Sequence, residues 1–264
     1  MSAGGRIAEA PLGATESAVR EFHAVAERLG AERVVAVGTQ VFRRANNSKE
    51  VLESIRNATG LNVEVLEEDT EAQWSFRSVS HGLRESGPLM VADIGGGSTE
   101  LAVGTPAAMR RCISLPVGAV VLTETHLRTD PPEEAEVRAL SDAVQAAMAA
   151  AVRDLSIGVE TFFCVGGTAT TLAALSLGLA VYDPKRVDGA SLSSAQIAEW
   201  NQRLRRLSLE EKRALVLVDP DRADILFAGI AILGCILDAG AFDRVRVSDR
   251  GLRFGIALRE FGDA

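Results

Sequence analysis

The chain is poor in the residues that commit a protein to several common chemistries. Of its 264 residues only three are cysteine, three histidine, two tryptophan and one tyrosine. Cys112, Cys164 and Cys235 are odd in number, sit in apolar surroundings and lack Cys-x-x-Cys spacing. That pattern argues against a disulfide framework or a zinc site and reads as reduced core thiols of a cytoplasmic protein. His23, His81 and His126 are scattered without triad or ligand spacing, and Tyr182, Trp74 and Trp200 form no stacking series. No apolar run reaches the ~18 residues that a membrane-spanning helix needs, and the N-terminus lacks the basic-then-apolar layout of a signal peptide. Positive charge is short as well. Lys and Arg total 28 against 36 Asp and Glu, and the net charge of −8 argues against non-specific nucleic-acid binding. A polyanion would have to be held by a local patch.

What is present is enough apolar material, 47% of residues, for a sizeable core. Val19, Phe22, Val25, Ala26 and Leu29 have helical spacing, with Thr15 as N-cap and residues 1–13 as an irregular entry. Arg33–Gly38 reads as a short strand. A helix from Ser48 to Gly60 follows, then the strand Val63–Leu66 and a helix over Ala72–Leu83. This alternation predicts an α/β fold with parallel strands and crossover helices. Farther on, Pro131-Pro132-Glu133 opens a long amphipathic helix through Val152, and Thr161–Val165 is a buried strand ending in Gly166-Gly167-Thr168. Ser193 caps a helix to Leu207, Ile225–Ala239 is a very apolar helix, and Arg244–Ser248 is the last strand before a final helix.

The stretch with most chemical content is Val91–Leu101. An apolar strand ends in Asp93, three glycines (Gly95, Gly96, Gly97) and Ser98 form a turn, and Glu100-Leu101 begins a second strand. Consecutive glycines let backbone N–H groups converge on an anion. An Asp at such a strand end suits a divalent metal or a water near phosphate. An ordinary glycine-rich hairpin satisfies the same residues. The second turn, Gly166-Gly167-Thr168, precedes a helix N-terminus, where unpaired N–H groups and the dipole favour an anion. Equally, Thr168 could simply cap that helix. Glu71, at the start of a helix, is placed for a general base or for a plain dipole-complementing role beside Glu67, Glu68 and Asp69. Arg43, following a strand, suits either bidentate phosphate contact or a surface ion pair.

Taken in order, Thr39…Arg43…Asn47, Glu71-Ala72, Asp93-Ile-Gly-Gly-Gly-Ser-Thr-Glu-Leu101, Gly166-Gly-Thr-Ala-Thr-Thr-Leu172, Arg222-Ala-Asp224 and Val247-Ser-Asp-Arg-Gly-Leu-Arg253 form a set. The set resembles the exopolyphosphatase / guanosine pentaphosphate phosphohydrolase family of the actin, sugar-kinase and heat-shock ATPase superfamily, over nearly the whole chain. The resemblance implies an α/β protein of two ribonuclease-H-like domains with the active site in the cleft between them, residues 1–75 and 76–264, the first truncated. It implies Glu71 as catalytic base, and Asp93 and Glu100 as catalytic and metal-holding acids with Mg2+ or Mn2+. It implies substrate contacts from Arg43, Gly95, Gly96, Gly97, Ser98, Gly166, Gly167 and Thr168. The implied substrate is inorganic polyphosphate or pppGpp, in a cytoplasmic homodimer with neither nucleic acid nor membrane as partner.

The chain also departs from the pattern. The family's Asp-x-Gly-(Ser/Thr)-Asn turn on its opening strand hairpin is absent, which leaves Val34–Val37 in a two-stranded remnant with an open edge. Glu67 and Glu68 stand where the family prefers Ser-Gly, Thr70 stands where it has Glu, and Asp188 stands where many members have His. These departures make a catalytically impaired polyphosphate- or guanosine-nucleotide-binding protein the second reading, and an ATP-hydrolysing relative of the same superfamily the third.

Overall fold

A computed structural model of the protein describes residues 5–262. The chain divides into two compact units, one through Glu71 and one from Ala72 onward. The division falls inside a helix, slightly before the boundary at residue 75 that the sequence suggests.

The first unit begins with α1 (Glu9–Arg28), which starts earlier than the spacing alone predicts. Pro11 and Gly13 lie inside it, and Thr15 donates to the Pro11 carbonyl rather than capping. A proline in the first turn costs little, because the N–H it lacks has no intrahelical acceptor there. β1 (Ala36–Gly38) and α2 (Gln40–Arg44) follow. α3 (Ser48–Thr59) buries Val51, Ile55 and Thr59 at four-residue spacing and ends on Gly60 at φ +75°, a left-handed position suited to glycine. The residue before it, Asn47, uses its side chain differently from a cap: Oδ1 accepts from the Ile7 N–H and Nδ2 donates to the Ile7 carbonyl. β2 (Val63–Val65) pairs parallel with β1. The apolar strand foreseen over residues 33–38 is therefore only three residues long, in a two-stranded sheet. α4 (Glu68–Ser80) carries Glu71 in its first turn.

The second unit is built on a six-stranded sheet. β3 (Leu89–Ile94), β4 (Thr99–Thr105) and β5 (Ala108–Leu115) form an antiparallel meander. α5 (Ala119–His126) and α6 (Glu134–Leu155) come next. α6 opens on a reciprocal capping box between Glu133 and Glu136 and buries Val137, Leu140, Val144, Met148, Val152 and Leu155 along one stripe. Then come β6 (Thr161–Val165), α7 (Gly167–Ser176), α8 (Pro184–Val187), β7 (Ser191–Ser193), α9 (Ser194–Leu204) and α10 (Leu209–Leu215). After a 3-10 turn at Pro220–Arg222 the chain ends in α11 (Leu226–Gly240), β8 (Arg244–Val247) and α12 (Leu252–Phe261).

The sheet order is β5-β4-β3-β6-β8-β7, with β3, β6 and β8 parallel. That is the ribonuclease-H-like order, with β3 central. β3 is apolar on both faces, as a strand covered on both sides must be. Met90, Ala92 and Ile94 join the main core with residues of α6 and α11, while Leu89 and Val91 meet Phe76 and Val79 of α4 on the opposite face. Among the described residues no helix is long and apolar enough to cross a membrane.

Candidate active site

Parallel pairing of β3 with β6 sets Asp93 opposite Val165, so the two glycine turns leave neighbouring strands at the same edge of the sheet. Their closeness is visible at Gly166, which has φ +88°. A Cβ there would lie 3.0 Å from Asp93 Oδ1 and 3.2 Å from the Ile94 carbonyl. The two anion-binding turns that the sequence suggests thus meet at one place in the second unit.

The first turn is held from behind by α5. The Gly95 carbonyl accepts from Ala119 N–H at 3.0 Å, and the Gly96 carbonyl accepts from Val120 and Val121 N–H at 2.9 and 3.1 Å. A peptide's C=O and the following N–H point in opposite directions. The N–H groups of Gly96 and Gly97 are therefore directed away from α5, as an anion-binding nest requires. At the second turn Gly166 is the N-cap of α7, whose first N–H groups have no acceptor within the helix.

The acids fall on the same face. Asp93 and Glu100 are directly opposed across the antiparallel β3–β4 pair, which places their side chains side by side. Asp93 Oδ2 accepts from Ser75 Oγ of α4 at 3.0 Å. Glu100 is 4% exposed, and its Oε1 accepts from Ser98 Oγ at 2.6 Å and from Ser114 Oγ at 2.9 Å. Two adjacent carboxylates next to a buried core repel each other and cost desolvation, an arrangement that points to use rather than packing. All the donors here are hard oxygens, the set that suits magnesium or manganese. Among the described residues no three acidic, histidine or cysteine side chains cluster closely enough to hold a metal alone. Such an ion would need substrate oxygens as well, which is the usual habit of magnesium at phosphates.

A cavity of about 510 Å³ opens against this edge. Of the residues foreseen from sequence, Asp93, Gly166 and Gly167 line it. Thr168 does not: it is buried, and its hydroxyl packs against Gly229 of α11, where a Cβ would fall 2.3 Å away. Thr168 is the second residue of α7, so it neither caps that helix nor offers its side chain to the cavity. Sequence reasoning assigned no role to Thr170, Thr171, Tyr182, Asp219, Arg222, Asp249 or Arg253, which line the rest. The Arg222 guanidinium lies over Gly167, whose Cβ would be 2.1 Å from Nη1, and its Nε donates to Asp219 at 2.8 Å. The recurrence of Arg222 and Arg253 in the two late motifs was the available signal.

Glu71 and Arg43 belong to the first unit. There they form an ion pair at 2.8 Å, each side chain only 12% exposed, and Arg43 Nη1 also donates to the Leu66 carbonyl at 2.6 Å. Arg43 is thus engaged by a carboxylate and a carbonyl. Its Nε and Nη2 are buried without a hydrogen-bond partner.

Comparison with known proteins agrees with this geometry. The profile of the Ppx/GppA phosphatase family matches residues 1–263. Exopolyphosphatase 2 of Mycobacterium tuberculosis is 29% identical over 269 residues, covering 98% of this chain and 84% of the relative. Guanosine-5'-triphosphate,3'-diphosphate pyrophosphatase of Vibrio atlanticus is 29% identical over 229 residues, covering 86% of this chain and 44% of that protein. The crystal structure of the Aquifex aeolicus member of the Ppx/GppA family superposes with a TM-score of 0.81 at 36% identity, over 97% of this chain and 83% of that one. Sequence motifs, sheet order and relatives agree, and the chain belongs to the Ppx/GppA phosphatase family.

Proposed function

We propose that this Ppx/GppA phosphohydrolase releases the terminal phosphate of inorganic polyphosphate or of pppGpp. The observation that carries the reading is the meeting of two glycine turns, Asp93 and Glu100 at one edge of the β3–β6 pair. In this reading the backbone N–H groups of Gly96, Gly97 and Ser98 and the N-terminal N–H groups of α7 hold oxygens of the terminal and adjoining phosphates. A water attacks the terminal phosphorus, the bridging P–O bond breaks, and the shortened chain leaves with the electron pair. Glu71 takes the water's proton, and Arg43, paired with it, fixes the orientation of that carboxylate. Asp93 and Glu100, kept in place by Ser75, Ser98 and Ser114, would hold a magnesium or manganese ion, which supplies charge neutralisation at the phosphoryl oxygens when bound.

The test is phosphate release from long-chain polyphosphate and from pppGpp, with magnesium, by the wild-type chain beside Glu71→Gln. The expected outcome is release that falls by at least ~100-fold in the variant, the lower end of what a general base contributes. A folded wild-type chain that releases no phosphate from either substrate would overturn catalysis and leave a phosphate-binding protein.

A further inference from the structure

The Ser248–Gly251 turn, between β8 and α12, supplies Asp249 and Gly251 to the cavity wall and leads into Leu252 and Arg253, which also line it. The turn is tied to its surroundings at both ends: the Ser248 N–H donates to the Cys164 carbonyl at 3.0 Å, and Ser78 Oγ of α4 donates to the Arg250 carbonyl. Asp188, the residue after α8, collects three consecutive residues of the turn on one carboxylate. Its Oδ1 accepts from Ser248 Oγ at 3.1 Å and from the Asp249 N–H at 3.0 Å, and its Oδ2 lies 3.7 Å from Arg250 Nε. Ser248 Oγ in turn accepts from the Arg250 N–H at 3.1 Å. A chain of donors thus ends on Asp188: Arg250 N–H to Ser248 hydroxyl to carboxylate. A carboxylate oxygen has two lone pairs, so Oδ1 can receive both donors at once.

Asp188 is itself placed rigidly. Its N–H donates to the Pro184 carbonyl, and Gly189, at φ +80°, donates to the Val247 carbonyl. On the cavity side the turn passes its position onward: Asp249 Oδ1 accepts from the Tyr182 hydroxyl at 2.5 Å. Asp188 does not line the cavity. We propose that Asp188 is a positioning residue that sets the Tyr182–Asp249–Arg253 wall of the substrate cavity through the Ser248–Arg250 turn. This rests on the reading of that cavity as the place where a phosphoanhydride substrate lies. It predicts a wall that acts on substrate held away from the reacting phosphate, and hence on KM more than on kcat.

Tyr182 is the only tyrosine in the chain, so its ionisation reports this wall directly. Burial and the Asp249 carboxylate hold the phenol above the ordinary tyrosine range. In Asp188→Ala the turn keeps its bonds to Ser78 and Cys164 but loses the carboxylate that fixes Ser248 Oγ and the Asp249 N–H, Asp249 shifts from Tyr182, and the tyrosinate absorbance should appear at lower pH, toward the unperturbed ~10. With polyphosphate as substrate, KM should rise ~10-fold with kcat within twofold of wild type. Asp188→Asn, which keeps Oδ1 as acceptor, should restore most of both readouts. Ser248→Ala, which removes the middle link, should move them in the direction of Asp188→Ala. An unchanged tyrosine titration in Asp188→Ala overturns the proposal. So does a shifted titration with unchanged KM, and so does a loss of thermal stability in which kcat and KM worsen together and Asp188→Asn rescues neither. Absence of phosphate release by the wild-type chain would overturn the substrate reading instead, and the titration still decides whether Asp188 sets the wall.

Discussion

Replacing Gly118 by alanine tests how tightly the first phosphate turn is backed. Gly118 is the N-cap of α5, at φ −140° and ψ 156°, a conformation that any residue adopts. Close approach is what demands glycine. A Cβ there would lie 2.4 Å from the Gly96 carbonyl oxygen and 2.5 Å from the Gly96 and Gly97 carbonyl carbons, all backbone atoms. Restoring ordinary contact requires the turn and α5 to part by about 1 Å, which stretches the three hydrogen bonds from Ala119, Val120 and Val121 to the turn. Overpacking costs ~1–3 kcal/mol and each weakened bond up to ~1 kcal/mol, together about 2–5 kcal/mol. For a unit of this size the unfolding midpoint should fall by roughly 5–15 °C. The displaced turn should also lower phosphate release by ~100-fold, the effect of a 1 Å misplacement. The matched control is Gly234→Ala in α11, where a Cβ meets nothing within 4 Å and better helix propensity should add ~0.5–1 kcal/mol. Calorimetry and a phosphate-release assay on both variants decide the matter. A Gly118→Ala chain that melts and turns over like wild type would refute the packing on which the nest argument rests.

Two further outcomes follow from buried charge. Arg43→Ala leaves Glu71 nearly buried without its partner and the Leu66 carbonyl without its donor, so urea denaturation should show a loss of ~2–4 kcal/mol. Lys212 is 5% exposed, and burial pushes its ammonium pKa down despite the nearby Asp130. Its native pKa therefore lies below the unfolded value near ~10.4, so the unfolded chain binds more protons between the two and wild-type stability gains from this group as pH rises through that window. Lys212→Met should be the more stable protein at neutral pH, and the difference should shrink toward pH ~10.4; a difference that stays constant with pH would refute the assignment.

The parts of this protein legible from sequence were those decided within a few residues. The strand–glycine–strand run at Val91–Leu101 carries its own periodicity and its own turn residues, and β3, the turn and β4 fall where they were expected. Ser193 announces α9 with a glutamine three residues on, and the same box at Ser208 and Glu211 marks α10, a helix absent from the expected elements. Pro11 and Gly13 read locally as breakers and point to a later start, yet α1 runs through both because a first-turn proline is tolerated. β7 is three residues long and owes its existence to β8 alongside. Thr168 was placed in the site because it follows two glycines; which way its hydroxyl turns depends on the absence of a side chain at Gly229, some sixty residues later. Arg222, Tyr182 and Asp249 reach the cavity from three separate loops, and no local pattern states that three loops converge.

The acidity of the chain follows the same logic. An excess of carboxylates led to the expectation that any polyanion site must contain a basic patch, yet the charged residues lining the cavity are Asp93, Asp219, Asp249, Arg222 and Arg253, more acidic than basic. Asp219 is paired with Arg222, Asp249 accepts the Tyr182 hydroxyl and Asp93 accepts from Ser75 Oγ, so each of the three carboxylates has a partner. At physiological ionic strength charges beyond ~8 Å are largely screened, and the net charge of the whole chain matters little at a phosphate. In the proposed reading, what a phosphate meets at short range is backbone: the outward N–H groups of Gly96 and Gly97 and the start of α7. Such donors are fixed by the fold and carry no net charge. They would let an acidic chain present an anion site, which is why glycines rather than basic residues mark the proposed one.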